Sequence, residues 1–381
     1  MFKRDIEEFI KYSAKYFPVI TITGPRQSGK TTLAQEIFAD KPYVSLEDTD
    51  MRDFATDDPR GFLEEYDKGA IIDEVQHCPD LFSYIQTKTD HDKIPAQYIL
   101  TGSQNFLLME SISQSLAGRT AVINLLPFSY NEIKDHGDEA DPFTLIYKGF
   151  YPKLYVSDLS PTVWYRNYIQ TYIERDIRQI QNVHDTKTFQ TFLRICAGRA
   201  GQLINLSAIG TECGISYNTV KAWLSILESS FIIYTLQPHH KNFNKRLVKQ
   251  QKLYFYDTGL ACALLGIESA DQVQTHYAKG ALFENMIVME LMKNRLNKGK
   301  ESGLYFWRDN HGHELDILIE DIDLTPIEVK AGKTVIPDFF KGINYWNGLS
   351  GGTKGYVVYA GEQGQSRGDV KVLGWNKMAS I

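Results

Sequence analysis

A glycine-rich segment near the start of the chain has the composition of a phosphate-binding loop. Residues 24–31 read GPRQSGKT and satisfy the pattern G-x-x-x-x-G-K-[ST]. An apolar run precedes the segment and a helical pattern follows it, so backbone N–H groups and a helix N-terminus would face one anion. We expect Lys30 to contact the β- and γ-phosphates and the Thr31 hydroxyl to ligate Mg²⁺. The predicted nucleotide-lining residues are Gly24, Pro25, Arg26, Gln27, Ser28, Gly29, Lys30, Thr31 and Thr32.

A pair of carboxylates is predicted to complete this site. Asp73 and Glu74 directly follow the short apolar run at residues 70–72, and ligands of parallel sheets bind where strands end. We expect Asp73 to hold Mg²⁺, directly or through water, and Glu74 to orient and activate an attacking water. An isolated acidic pair after a strand is commonly a surface turn, but its place after a phosphate-binding loop favours the catalytic interpretation.

Two further polar residues fit nucleotide hydrolysis. Ser103 follows another apolar run, where a short polar side chain can hold the lytic water. Arg119 could neutralise charge in the transition state, either within the chain or from a neighbouring subunit. A surface salt bridge is the alternative for Arg119. Together these residues predict that the chain binds ATP or GTP with Mg²⁺ and hydrolyses it.

Strands and helices alternate in the part of the chain that carries these residues. Short apolar runs at residues 17–22, 43–46, 70–72, 98–100 and 121–126 are separated by helical segments. This alternation predicts an α/β domain with a parallel sheet and helices on both faces. The motifs then lie at the carboxyl ends of the strands, where the sheet can bring them together.

The order of the motifs resembles a known family. GPRQSGKT, IIDEVQ, ILTGSQ and SLAGR, followed by LLPFS, are similar to the AAA-type ATPases of bacteria and archaea that carry a C-terminal domain of uncertain function. The resemblance extends over nearly the whole chain. It implies ATP rather than GTP as the nucleotide. It also implies the ASCE-type sheet order, in which an extra strand lies between the strands of the two nucleotide motifs.

The middle of the chain predicts a helix-turn-helix at residues 206–224, where Gly214 suits the turn and Ser216 can cap the second helix. The strand-like run at 231–236 and the segment 241–252 then resemble a winged helix with a basic wing. The basic residues of this segment are Lys241, Lys245, Arg246, Lys249 and Lys252. We interpret the unit as a DNA contact, with the helix in the major groove and the wing on phosphates. Protein contacts, or a solvated charged loop, are the alternatives.

Acidic residues near the C-terminus form a second candidate site. Glu328 and Lys330 share a face of one predicted strand, near Asp316 of a neighbouring strand, and Glu284 lies on an apolar helix face. This arrangement resembles the PD-(D/E)XK nuclease superfamily. The resemblance implies that Asp316 and Glu328 bind Mg²⁺ or Mn²⁺, that Lys330 positions the attacking water, and that Glu284 assists the metal. A nuclease-like fold that has lost catalysis is the alternative.

Three regions follow from these motifs in a chain of 381 residues. They are a P-loop AAA-type ATPase domain at 1–150, a helical and winged-helix region at 151–275, and a restriction-endonuclease-like α/β domain at 276–381. The leading predicted function is Mg²⁺-dependent ATP hydrolysis coupled to a nuclease-like module that acts on DNA or RNA. The alternative is a regulatory ATP switch whose C-terminal domain is a non-catalytic platform for protein or nucleic acid.

Composition limits the partners. The net charge of −6 gives no overall basic footprint, so a nucleic-acid contact would depend on the basic wing or the nuclease-like domain. No apolar stretch approaches the length of a membrane span, and the four cysteines form no C-x-x-C pair. We therefore expect a cytoplasmic protein without a membrane partner, which forms a homo-oligomer or binds another protein.

Overall fold

The computed structural model of the chain describes residues 2–103, 112–134, 141–173, 185–240 and 247–381. Its contacts divide the chain into two compact units. The first unit contains Met1–Phe128, Ser229–Phe231 and Leu296–Gly299. The second contains Ser129–Glu228, Ile232–Arg295 and Lys300–Ile381.

A five-stranded parallel sheet forms the centre of the first unit. Its strands are β1 (Val19–Thr23), β2 (Tyr43–Ser45), β3 (Ala70–Asp73), β4 (Tyr98–Gly102) and β5 (Thr120–Asn124). The strand order is β2-β3-β4-β1-β5. Strand β4 therefore lies between β1, which precedes the glycine-rich loop, and β3, which carries the acidic pair. This confirms the sheet order that the family resemblance implies.

Helices cover both faces of this sheet. They span Glu7–Ser13, Lys30–Ile37, Thr49–Asp57, Pro59–Glu65 and Leu81–Asp92, with single turns at Val75–His77 and Ile112–Leu116. Successive strand residues point to opposite faces, so Ile71 packs into one apolar cluster and Ile72 into the other. Burial on both faces explains why β1, β3 and β4 consist largely of apolar residues. The sheet is thus a rigid support for the loops at its edge.

An eight-stranded mixed sheet forms the centre of the second unit, in the order β12-β13-β11-β10-β9-β8-β6-β7. Its strands are β6 (Ile233–Pro238), β7 (Lys252–Phe255), β8 (Leu304–Arg308), β9 (Glu314–Glu320), β10 (Leu324–Lys330), β11 (Gly355–Tyr359), β12 (Gln365–Arg367) and β13 (Val370–Gly374). Strand β6 pairs with β7 in antiparallel fashion and with β8 in parallel. Strands from both sides of the predicted boundary at residue 275 therefore belong to one sheet.

The helices of the second unit include the predicted helix-turn-helix. They span Tyr130–Lys134, Pro142–Lys148, Pro161–Tyr168, Thr186–Gly198, Leu206–Cys213, Tyr217–Ser229, Thr258–Leu264, Ala270–Thr275, Lys279–Leu296 and Lys341–Ser350, with short turns at Pro152–Leu154, Ile169–Ile173, Pro337–Phe340 and Trp375–Ser380. Gly214 has a φ of 68° in the turn, and Ser216 Oγ accepts the Thr219 N–H at 3.1 Å. The winged-helix interpretation stays a prediction. None of the described helices has the length and apolar character that crossing a bilayer requires.

Candidate nucleotide site and C-terminal carboxylate cluster

The loop between β1 and the helix Lys30–Ile37 is built around two glycines. Gly24 has a φ of 146°, and a Cβ there would lie 2.2 Å from the carbonyl oxygen of Leu125, so no side chain fits. Gly29 has a φ of 93° and caps the helix. This left-handed residue lets the chain turn sharply into a helix whose first N–H groups have no partner within the helix. Those donors are available to an anion.

Lys30 lies folded onto this loop. Its ammonium donates to the carbonyl oxygens of Gly24 at 3.1 Å and Pro25 at 2.9 Å. Burial lowers the pKa of Lys30 to about 8, against the attraction of the two carboxylates of the acidic pair. The hydroxyl of Ser28 is also buried and has no hydrogen-bond partner among the described residues. A buried cation and an orphaned hydroxyl in a glycine turn fit a phosphate group. Contacts of Arg26, Gln27 and Thr32 with a nucleotide stay predictions.

The Asp73 carboxylate lies next to this loop, at the end of β3. The Thr31 hydroxyl donates to both of its oxygens at 3.1 Å, and the Tyr43 hydroxyl donates at 2.9 Å. Thr101, on β4, donates to the same carboxylate. Burial and the charge of Asp73 raise the pKa of Tyr43 to about 12. A hydroxyl and a carboxylate are hard oxygen ligands, so Thr31 and Asp73 fit Mg²⁺.

Glu74 follows Asp73 in a strained backbone conformation. Its φ of 53° and ψ of 44° are left-handed, which costs a non-glycine residue about 1–2 kcal/mol. The Ser103 hydroxyl donates to Glu74 Oε2 at 3.1 Å, and the Gln76 amide donates to the same oxygen. Ser103 thus contacts the predicted water activator itself. The structure gathers Thr31, Asp73, Glu74 and Ser103 at the carboxyl edge of the first sheet.

Asp316, Glu328 and Lys330 come together in the second unit, as the period of the strands predicts. The Lys330 ammonium lies 3.2 Å from Asp316 Oδ2 and also binds Glu328. Burial and repulsion from Asp316 raise the pKa of Glu328 to about 9. Burial by itself would lower the pKa of Lys330, but the attraction of the ammonium to both acids is stronger and raises the pKa of Lys330. A Cβ at Gly342 would overlap Glu328 Oε1, so the helix Lys341–Ser350 can approach this carboxylate only with glycine there.

Glu284 has a different partner from the one predicted. Lys252 Nζ lies 3.0 Å from Glu284 Oε1 and also pairs with Glu314, and the Tyr254 hydroxyl donates to Glu284. The Lys252 side chain is only 3% exposed. Its assignment to the basic wing is therefore wrong. Lys252 and Tyr254 project from the same face of β7 because they are two residues apart, and this face meets the acids.

The wing itself is largely outside the described residues. Lys241, Lys245 and Arg246 fall in the range that the structure does not describe. Lys249 is exposed, as predicted. Within the described part of the chain, the segment 241–252 therefore offers one solvent-exposed lysine rather than a basic stripe.

The three acids predicted as metal ligands already have cationic partners in the chain. Lys330 bridges Asp316 and Glu328, and Lys252 holds Glu284. Across the residues that the structure describes, no group of three or more His, Cys, Asp and Glu side chains is arranged to hold a metal ion. In this arrangement an ammonium group contacts an oxygen of each of the three acids. The metal roles predicted for Glu284, Asp316 and Glu328 stay predictions.

Comparisons with known proteins agree with the geometry of the first unit. Residues 16–134 match the family model described as an AAA domain. This part of the chain is therefore similar to AAA domains, and we refer to it as the AAA-type domain. Residues 139–271 and 279–378 match two domains of unknown function, DUF8612 and DUF4143.

Relatives of the chain span most of its length. An uncharacterized protein of Mycobacterium tuberculosis is 28% identical over 320 residues, which cover 84% of this chain and 71% of the relative. An uncharacterized protein of Haemophilus influenzae is 22% identical over 318 residues, covering 76% and 77%. A Walker-type ATPase of Pyrococcus abyssi has a TM-score of 0.48 and 15% identity, covering 69% of this chain and 96% of its own.

Arg119 lies away from the candidate nucleotide site. Its carbonyl accepts the Val19 N–H at 3.2 Å, at the amino end of β1, whereas the glycine loop follows the carboxyl end. The five residues of β1 separate these ends by roughly 15 Å. The guanidinium instead binds Asp90 through two hydrogen bonds of 2.6 and 2.9 Å. A catalytic role of Arg119 within its own chain is therefore wrong, and one from a neighbouring subunit stays a prediction.

Replacing Lys252 by methionine is expected to lower the free energy of unfolding by about 3–5 kcal/mol, because it leaves Glu284 and Glu314 without their buried cation. Urea denaturation followed by far-UV circular dichroism measures the change. Lys249→Met is the matched control: it removes an exposed charge from the same segment and should stay within ~0.5 kcal/mol of the wild type. Equal stability of the two variants would contradict the buried pairing.

Proposed function

We propose that the AAA-type domain binds ATP with Mg²⁺ and hydrolyses it. One observation carries the proposal: the Thr31 hydroxyl of the glycine loop contacts both oxygens of Asp73, the residue before Glu74. The loop after β1 and the acidic pair after β3 therefore meet, as a magnesium–triphosphate site requires. Magnesium, when bound, neutralises charge that develops on the phosphates.

Each residue of the site has a distinct task in this proposal. Lys30 leaves the carbonyl oxygens of the loop and contacts the β- and γ-phosphates. Thr31 and Asp73 hold the metal ion. Glu74 accepts a proton from the attacking water, and Ser103 orients its carboxylate through the hydrogen bond at 3.1 Å.

Tyr43 and Thr101 are further members of this site, and neither belongs to a local sequence motif. Both donate hydroxyl hydrogen bonds to Asp73, so they fix the orientation of the carboxylate that holds the metal. Their role resembles that of outer residues around other metal ligands, which set the direction of the ligand oxygens.

Removal of magnesium provides the test of this function. Release of inorganic phosphate from ATP is expected in the presence of Mg²⁺ and is expected to fall to background in EDTA, because Thr31 and Asp73 then have no metal to hold. Parallel assays with GTP test the nucleotide that the family resemblance implies. Hydrolysis that continues unchanged in EDTA would contradict the proposed site.

For the second unit, the buried pairing of Lys252 with Glu284 and Glu314 supports the non-catalytic platform as a second candidate function. We propose that this unit binds a protein or nucleic-acid partner while the AAA-type domain turns over ATP. ATPase stimulation by a partner is the expected result. Mn²⁺-dependent cleavage of plasmid DNA or RNA that is lost in Lys330→Ala would contradict it.

A further inference from the structure

Arg4 lies directly behind the glycine loop. Its side chain is buried, with 6% of the residue exposed. Nη1 donates to the carbonyl oxygen of Ser28 at 3.0 Å, and Nη2 donates to the carbonyl oxygen of Leu126 at 2.7 Å. The guanidinium carbon also lies 4.9 Å from the centre of the Phe128 ring. One planar group thus joins the loop to the segment that follows β5.

The backbone before the helix Glu7–Ser13 holds this arginine in place. The Arg4 N–H donates to Glu7 Oε1 at 3.0 Å, and the Glu7 N–H donates to the Arg4 carbonyl at 3.2 Å. Glu7 is itself mostly buried, with 8% exposed. Hydrogen bonds therefore hold both the backbone of Arg4, through Glu7, and its guanidinium, through the two carbonyl oxygens.

The contact with Ser28 also constrains the next residue. A trans peptide is planar, so the Ser28 carbonyl and the Gly29 N–H belong to one rigid group and point in opposite directions. The described chain has no cis peptide bond. Arg4 holds the Ser28 carbonyl on the side of the loop where the guanidinium lies. The Gly29 N–H therefore points to the opposite side. That side is where a phosphate would lie, because Gly29 caps the helix Lys30–Ile37.

We infer that Arg4 is a positioning residue for phosphate binding. The hydrogen bond from its guanidinium to the Ser28 carbonyl fixes the Ser28–Gly29 peptide, so that the Gly29 N–H is oriented before the nucleotide binds. This order lowers the entropy cost of nucleotide binding. The positive charge of Arg4 adds to the field that attracts the anion. This inference depends on the proposed function, since it concerns the same loop. It adds a residue at the start of the chain that lies outside the loop pattern.

Nucleotide affinity of Arg4 variants tests the inference. Binding of fluorescent ATP and ADP analogues to the full chain is measured with Mg²⁺. Arg4→Met is expected to weaken both by roughly tenfold, because it removes two hydrogen bonds from a charged group. ATP and ADP should lose affinity alike, since the loop N–H groups contact phosphates that both carry. Lys3→Met is the control, because it removes an exposed charge next to Arg4, and it should bind as the wild type.

A second variant keeps the test valid if Arg4→Met does not fold. Arg4→Lys keeps the charge, but an ammonium lacks the planar fork that reaches both carbonyls, so about a threefold loss is expected from one missing hydrogen bond. Wild-type affinity in Arg4→Lys and in folded Arg4→Met would overturn the positioning role of Arg4 but would leave the proposed function intact. A lower melting temperature with unchanged affinity would also overturn it. A wild-type chain that binds neither nucleotide would overturn the proposed function and this inference together.

Discussion

Replacement of Glu74 by glutamine is expected to slow ATP turnover by about 10²–10⁴-fold while ATP stays bound. Glutamine has nearly the same shape and can still accept from the Ser103 hydroxyl, which lies 3.1 Å from Glu74 Oε2. It cannot take a proton from water. The binding contacts from Lys30, Thr31 and Asp73 are unchanged. The expected phenotype is therefore a trapped complex rather than an empty site.

Single-turnover hydrolysis and equilibrium binding of ATP together measure this effect. Glu65→Gln is the matched control, because it makes the same change at an exposed position of the same domain and should leave both quantities unaltered. Wild-type turnover in Glu74→Gln would show that another group activates the water. Loss of ATP binding in this variant would show that Glu74 helps to hold the nucleotide.

The second large effect is expected at Lys30. Lys30→Ala should weaken ATP binding by about 10²–10³-fold, because truncation of one partner of a buried charge pair costs several kcal/mol. In the structure the Lys30 ammonium is held by two loop carbonyls, at 3.1 and 2.9 Å. It is thus already located beside the space that phosphate would enter.

Isothermal titration calorimetry with Mg·ATP measures the loss at Lys30. Lys68→Ala removes an exposed lysine of the same domain and should keep wild-type affinity. Circular dichroism of each variant separates loss of binding from loss of fold. Wild-type affinity in a folded Lys30→Ala variant would mean that the loop does not bind the triphosphate.

Local sequence patterns were sufficient for the elements that depend on neighbouring residues. The glycine loop depends on positive φ angles at Gly24 and Gly29, which favour glycine, so its pattern is visible in eight consecutive residues. The acidic pair follows a strand that is buried on both faces, which appears as an apolar run. The order of the strands came from the family resemblance rather than from the periodicity.

Contacts between distant residues could not be predicted in the same way. Lys252 looked like part of a charged loop, because a run of basic residues gives no sign that one member is buried against Glu284. Arg4 and Tyr43 reach the nucleotide site from other elements, and nothing in their own neighbourhood indicates it. Arg119 comes directly before β5 (Thr120–Asn124). It therefore lies at the amino edge of the sheet, whereas the predicted catalytic role requires the carboxyl edge.

We propose that the glycine loop and the acidic pair form one magnesium–triphosphate site. The amount of ATP trapped by the Glu74→Gln chain after gel filtration in Mg²⁺ tests it most directly. About one ATP per chain is expected, because this variant binds but does not hydrolyse, and almost none is expected when Lys30→Ala is added. Equal retention with and without Lys30, or no retention by either variant, would show that these residues do not form such a site.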